Sequence, residues 1–99
     1  MNIVREAYAG TLESSDLMVR VSPGKGGLDV SVTSIVMAQF GAAIKAEIEK
    51  TLASLGVADA TVTADDKGAL DCVIRARVQA AVSRAADAPI MPWQAGGTS

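Results

Sequence analysis

The chain has 99 residues and a mass of 10.1 kDa, with 49% hydrophobic and 20% charged residues, the proportions of one globular domain around a single core. It has no histidine and one cysteine, Cys72, which excludes Ser-His-Asp and Cys-His catalysis, imidazole zinc sites, internal disulfides and Cys-ligated iron–sulfur clusters within the chain. Nine basic residues against eleven acidic ones give a net charge of −2 and a pI near 4.9, the wrong sign for an unspecific nucleic-acid binder, and the apolar runs are too short to cross a bilayer.

A single cysteine and no signal peptide fit a cytoplasmic protein with neither nucleic acid nor membrane as partner. Tyr8, Phe40 and Trp93 are the only aromatics, so the core must be aliphatic.

Residues 1–7 read as a loose lead-in. The chain turns to strand composition at Tyr8–Gly10, and Leu12 belongs to a short extended piece ending in Glu13-Ser14-Ser15-Asp16. Short Ser and Asp side chains bond nearby backbone groups, so this cluster has turn chemistry. Leu17, Val19 and Val21 then alternate with Met18, Arg20 and Ser22, the period of a half-buried strand. Together these pieces predict a hairpin with Ser14 and Ser15 at its tip.

The segment Ser22-Pro23-Gly24-Lys25-Gly26-Gly27 reads as a loop. Leu28, Val30 and Val32 alternate with Asp29, Ser31 and Thr33 in a third strand. Val36, Phe40, Ile44, Ile48, Leu52 and Leu55 then form one apolar stripe and predict a helix over roughly 35–55. Thr33 or Ser34 is its expected cap, Met37 and Phe40 are core by spacing, and Gly41 either weakens it or admits a close strand. Gly56-Val57 suits a left-handed C-cap with an apolar contact back onto the last turn.

Ala60, Val62 and Ala64 predict a fourth strand, followed by a turn at Asp65-Asp66-Lys67-Gly68. Leu70, Cys72, Ile74 and Ala76 alternate with Asp71, Val73, Arg75 and Arg77, read as a fifth strand pairing antiparallel with the fourth. From Val78 the spacing becomes helical, with Arg84 in the last turn and Pro89 as the stop. Residues 88–99 read as a flexible tail, with Trp93 either clasped to the body or anchored in a partner. The order β-β-β-α-β-β-α predicts one α+β domain over 1–99: a mainly antiparallel sheet with helices packed on one face.

Few residues offer chemistry. Ser14 and Ser15 lack a histidine or neighbouring lysine as base, so neither is an activated nucleophile. An exposed serine on a projecting loop can instead accept a group attached by another enzyme. The Pro23–Gly27 segment misses the phosphate-loop spacing and links two strands, so it reads as a loop. Asp65-Asp66 reads as a solvated turn, and Cys72 as a small core residue on the apolar face of its strand. Arg75 and Arg77 share the opposite face with Asp71, a solvated surface or a seat for a phosphorylated ligand or partner.

Two runs carry a family resemblance. Ala9-Gly10-Thr11-Leu12-Glu13-Ser14-Ser15-Asp16-Leu17-Met18-Val19-Arg20 resembles the N-terminal signature of the citrate lyase acyl carrier (gamma chain) family. Val62-Thr63-Ala64-Asp65-Asp66-Lys67-Gly68-Ala69-Leu70-Asp71-Cys72-Val73-Ile74-Arg75-Ala76-Arg77-Val78 resembles the same family's Asp-Asp-Lys-Gly-Ala-Leu segment, and Gln39-Phe40-Gly41 also matches. The likeness runs from residue 9 to about 93.

It implies a non-catalytic subunit carrying acetyl and citryl thioesters on a 2'-(5''-phosphoribosyl)-3'-dephospho-coenzyme A arm. The arm is joined by a phosphodiester to a serine that maps onto Ser14, with Ser15 as its unmodified neighbour. The implied partners are an alpha chain that exchanges acetyl for citryl, a beta chain that cleaves citryl to oxaloacetate, and a prosthetic-group transferase. Ordinary four-helix carriers read Asp-Ser-Leu at a helix start, whereas this chain has Ser15-Asp16-Leu17 after a strand. The competing readings are the carrier subunit of malonate decarboxylase, a structural or regulatory adaptor without a prosthetic group, and, weakest, an independent enzyme.

Overall fold

The computed structural model describes residues 2–34 and 37–86. Six elements follow in order: β1 (Ala7–Ala9), β2 (Leu17–Pro23), β3 (Leu28–Ser34), α1 (Met37–Ser54), β4 (Ala60–Asp66) and α2 (Asp71–Ala85). The four strands form one sheet in the order β1-β2-β4-β3. Strand β2 pairs antiparallel with both β1 and β4, in the registers Val19↔Ala9 and Leu17↔Asp66. Strand β3 runs parallel to β4, as it must when α1 carries the chain back to the same end of the sheet. The expected α+β sheet is therefore mainly antiparallel with one parallel pair.

Alternation decides which face is covered. Leu17, Val19 and Val21 of β2 and Ala60, Val62 and Ala64 of β4 point inward and are buried, with Val30 beside them from β3. Both helices lie over this face, α1 through Ile44, Ile48 and Leu52, α2 through Ile74, Val78, Ala81, Val82 and Ala85. The predicted stripe of α1 is in place at these positions and at the half-buried Leu55. Gly56 has φ 75, and the Gly56 N–H and Val57 N–H donate to the Ala53 and Leu52 carbonyls at 3.0 Å each. This is a Schellman closure, with Val57 buried against the last turn. Thr33 and Ser34, the expected caps of α1, are strand residues instead, and the Ser34 hydroxyl donates to Asp66.

The expected fifth strand at 69–77 is not a strand. Asp71–Ala85 is one continuous helix that absorbs both that segment and the short helix expected from Val78. Strand β4 has β2 on one side and β3 on the other, so it offers no edge to a fifth strand. The inward residues Ile74, Val78, Ala81, Val82 and Ala85 follow a 3.6 period, and Ala and Arg favour helix. Cys72, expected in the core, is consequently exposed in the first turn.

The lead-in is fastened, not loose. Ile3 is buried and bridges to Ala86, and the Val4 N–H donates to the Ala85 carbonyl at 2.9 Å. The Arg5 guanidinium donates to the carbonyls of Arg84 and Ala86 at 3.0 and 2.9 Å, satisfying acceptors that the end of α2 leaves open. The expectations for Val36, for the side chains of Met37 and Phe40, and for Pro89, Trp93 and the tail at 88–99 fall outside the described residues.

Candidate functional site

Strands β1 and β2 form the expected hairpin, but β1 ends at Ala9, so Leu12, expected in an extended piece, lies in the connection, residues 10–16, which holds Ser14 and Ser15 exposed at one end of the sheet. Asp16 organises this loop. The Arg77 guanidinium, from the middle of α2, donates through Nε to Asp16 Oδ1 and through Nη2 to Oδ2, both at 2.9 Å. The Thr11 hydroxyl donates to Oδ2 at 2.6 Å and the Leu17 N–H to Oδ1 at 2.7 Å. Bidentate guanidinium–carboxylate bonds fix direction as well as distance. The hydrogen bonds from Arg77 and then Thr11 hold the Asp16 carboxyl well below the usual carboxylate range, and Asp16 in turn raises the Arg77 guanidinium.

A second tie joins the loop to the end of β4. The Ser15 N–H donates to the Lys67 carbonyl at 2.7 Å, and the Lys67 N–H donates to the Asp16 carbonyl at 2.9 Å. Ser15 sits at φ 66, in the left-handed region a non-glycine residue seldom enters. Gly10 begins the loop at φ 97, where a Cβ would collide with the Leu17 carbonyl and lie 3.3 Å from Arg77 Cδ. The loop thus packs too closely on its own return strand to admit a side chain at its base.

Asp66 carries the turn beneath. It was expected in a solvated Asp-Asp turn but is 1% exposed, the last inward position of β4. Its carboxylate accepts from the Ser34 hydroxyl at 2.9 Å, the Gly68 N–H at 3.1 Å and the Ala69 N–H at 2.9 Å. A buried carboxylate needs such donors to be tolerated. Asp65 faces the open side of the sheet, 3.5 Å from Lys67 Nζ.

The residues expected to share a strand face separate. Arg77 reaches Asp16, Arg75 reaches Glu47 of α1 at 3.3 Å, and Asp71 stands in the first turn of α2. The glycine segment is a structural crossing, held at the opposite end of the sheet by Asp59, which accepts from the Gly26 and Gly27 N–H groups at 3.2 and 3.3 Å. Thr11, the Asp16–Arg77 pair and Asp66 were missed as site residues. Only Asp66 left a local signal, since 60, 62, 64 and 66 share one side of β4.

The loop exposes two serine hydroxyls. Among the described residues no side chain hydrogen-bonds the Ser14 hydroxyl, and Asp16 is occupied by Arg77 and Thr11, so nothing here would remove a serine proton. The described residues contain no cluster of three metal-ligating side chains. None of their helices is long and apolar enough to cross a membrane.

The acyl carrier family described as "Malonate decarboxylase delta subunit (MdcD)" matches residues 4–85. The chain is 57% identical over 94 residues to a citrate lyase acyl carrier protein of Pectobacterium carotovorum, covering 95% of this chain and 98% of that one. It is 52% identical over 96 residues to citrate lyase acyl carrier protein 2 of Salmonella paratyphi A, with 96% and 99% covered. A Klebsiella pneumoniae citrate lyase acyl carrier protein matches at 54% over 94 residues, with 94% and 97% covered. With a clamped serine loop and near full-length similarity to these carriers, the chain belongs to the citrate lyase acyl carrier protein family.

Proposed function

We propose that this chain is the acyl carrier subunit of citrate lyase, a single carrier domain working in the cytoplasm without bond-making by its own side chains. Ser14 is the attachment point for 2'-(5''-phosphoribosyl)-3'-dephospho-coenzyme A, joined through a phosphodiester by a prosthetic-group transferase. The observation that carries this reading is an exposed, unengaged Ser14 on a loop clamped at both ends. The surroundings fit such a group, because Ser14 is open to solvent and its hydroxyl has no internal partner to surrender. Ser15 is as exposed as Ser14, and the choice of Ser14 rests on the likeness of Glu13-Ser14-Ser15-Asp16 to the family's motif.

When attached, the arm supplies a terminal thiol for acetyl and citryl thioesters. The chain's own contribution is position. Thr11, Asp16, Arg77 and the 66–69 turn hold the serine on one end of a rigid sheet, in reach of an alpha chain that exchanges acetyl for citryl and a beta chain that releases oxaloacetate. Tethering holds reacting groups at effective concentrations of about mM for short flexible links, so carriage alone serves catalysis.

Relatives named for citrate lyase at 52–57% identity support this assignment over the carrier of malonate decarboxylase, whose subunit gives the family its description. Reassembly with the alpha and beta chains tests it. Ser14→Ala carrier produced with the transferase should give no citrate cleavage, and Ser15→Ala carrier should be active. Cleavage sustained by Ser14→Ala would refute the assignment.

A further inference from the structure

The face of the sheet away from the helices is open, and its side chains line up across the strands. Tyr8, Arg20, Thr63 and Ser31 share one row, and Met18, Asp65 and Thr33 share the next, toward the serine end. Tyr8, Met18, Arg20, Thr33, Thr63 and Asp65 line a depression of about 290 Å³. That is at the small end of ligand pockets, room for one base and not for a whole coenzyme.

Several of its groups lack partners. Tyr8 is the one aromatic side chain among the described residues, and it is 51% exposed. Asp65 Oδ1 is shut off from solvent, yet it accepts no hydrogen bond among the described residues; its contact is an ion pair with Lys67 Nζ at 3.5 Å. A buried acceptor without a donor costs free energy, so a ligand N–H or O–H is favoured there. The Thr33 and Thr63 hydroxyls make no hydrogen bond among the described residues either. Arg20 meets Glu6 through one exposed contact at 3.5 Å, a pairing too weak to keep it from an anion. Lys67 ties this face to the attachment loop. Its backbone bonds those of Ser15 and Asp16, and its ammonium lies beside Asp65.

We infer that this depression seats the adenosine phosphate part of the arm proposed for Ser14. The adenine stacks on the Tyr8 ring, its amino group or a ribose hydroxyl donates to Asp65 Oδ1, and phosphate oxygens meet Arg20 and Lys67. Aromatic side chains on open sheets stack bases, and a guanidinium suits phosphate. In that arm the phosphate, ribose and adenosine lie nearest the serine and the thiol lies farthest. Seating the near part shortens the swinging part, which raises the effective concentration of the thioester. The inference deepens the proposed function and rests on it for the covalent link.

NMR of the full chain tests it in two forms. Chain loaded by the transferase is compared with bare chain, and bare chain is titrated with dephospho-coenzyme A. Expected in both are shifts at Tyr8, Arg20 and Asp65, an upfield move of the adenine protons, and contacts between adenine and the Tyr8 ring. Tyr8→Val keeps a strand-forming residue and should weaken dephospho-coenzyme A binding by about fivefold or more, the loss expected of one base stack. Arg20→Gln should weaken it most at low salt. Shifts confined to residues 10–16 in the loaded chain, or binding undiminished in both variants, overturns the site. The mass of native protein is read separately. Dephospho-coenzyme A bound on the open face of a chain that never carries an arm would uphold the nucleotide site and sink the carrier assignment. An arm on Ser14 with the open face unshifted would do the reverse.

Discussion

The two ends of the sheet close in different ways. At one end, residues 10–16 are fixed by side chains, with Arg77 and Thr11 converging on Asp16 and three donors converging on the buried Asp66. At the other, the glycine loop between β2 and β3 is held by one exposed carboxylate, Asp59, accepting two longer backbone bonds, and by the Ala60 N–H donating to the Gly27 carbonyl at 3.1 Å. Both loops are small and polar, so composition alone would class them together. The difference lies in how much of the molecule commits to them. The serine end recruits side chains of α2, β3 and β4, whereas the glycine end recruits Asp59 and one backbone bond from Ala60. The proposed presentation of one hydroxyl in a set direction would draw on that investment, and a crossing between strands would not.

The comparison breaks first at function. Ser14→Ala should abolish arm attachment by the transferase, while Lys25→Ala in the glycine loop should leave it intact, as read by intact mass. The next largest effect is on the fold. Asp66→Ala strands three donors at the base of the serine end, each worth about 1–3 kcal/mol when left unsatisfied. Its loss in denaturant melts should rival the ~2–5 kcal/mol expected for Leu52→Ala in the α1 stripe. Asp59→Ala should cost only about 0.5–1.5 kcal/mol, with attachment unchanged. An equal loss for Asp59→Ala and Asp66→Ala would erase the contrast between the ends.

The Asp16–Arg77 pair adds a pH signature. Asp16 is held below its ordinary range in the folded chain, so its stabilising contribution is complete above the unfolded carboxyl value of about 3.9 and fades as pH falls toward the folded one. The stability gap between wild type and Asp16→Asn should therefore be constant near neutrality and narrow below about pH 4. A gap that persists unchanged in acid would show that the carboxylate charge is not what holds the loop. The smallest effect is that of Ser14→Ala on stability. An exposed hydroxyl without partners should change it by no more than about 0.5 kcal/mol, and a larger drop in melting would mean that Ser14 is structural.

What the sequence revealed follows how local each cause is. The α1 stripe at Ile44, Ile48 and Leu52 and the strand alternations in β2 and β4 are local, and they are where the spacing puts them, while in β3 Val30 is buried and Leu28 at the strand's start is exposed. Segment 69–77 misled because Leu70, Cys72, Ile74 and Ala76 satisfy a period of two, while Ile74 and Val78 begin a period of 3.6. The arbiter is nonlocal: β4 has no free edge. The serines were visible through turn chemistry and resemblance, but their support was not. Asp16 and Arg77 are 61 positions apart, and no local pattern links them. Asp66 could have been found by extending the inward parity of Ala60, Val62 and Ala64 by one step.

The central claim is that this loop exists to bear a covalent group on Ser14. Peptide-level mass spectrometry of the chain isolated with its native transferase tests it most directly. An added phosphoribosyl dephospho-coenzyme A is expected on the peptide containing Glu13-Ser14-Ser15-Asp16, with fragmentation placing it on Ser14. A chain at its bare sequence mass, or an arm on Ser15 or elsewhere, would contradict it.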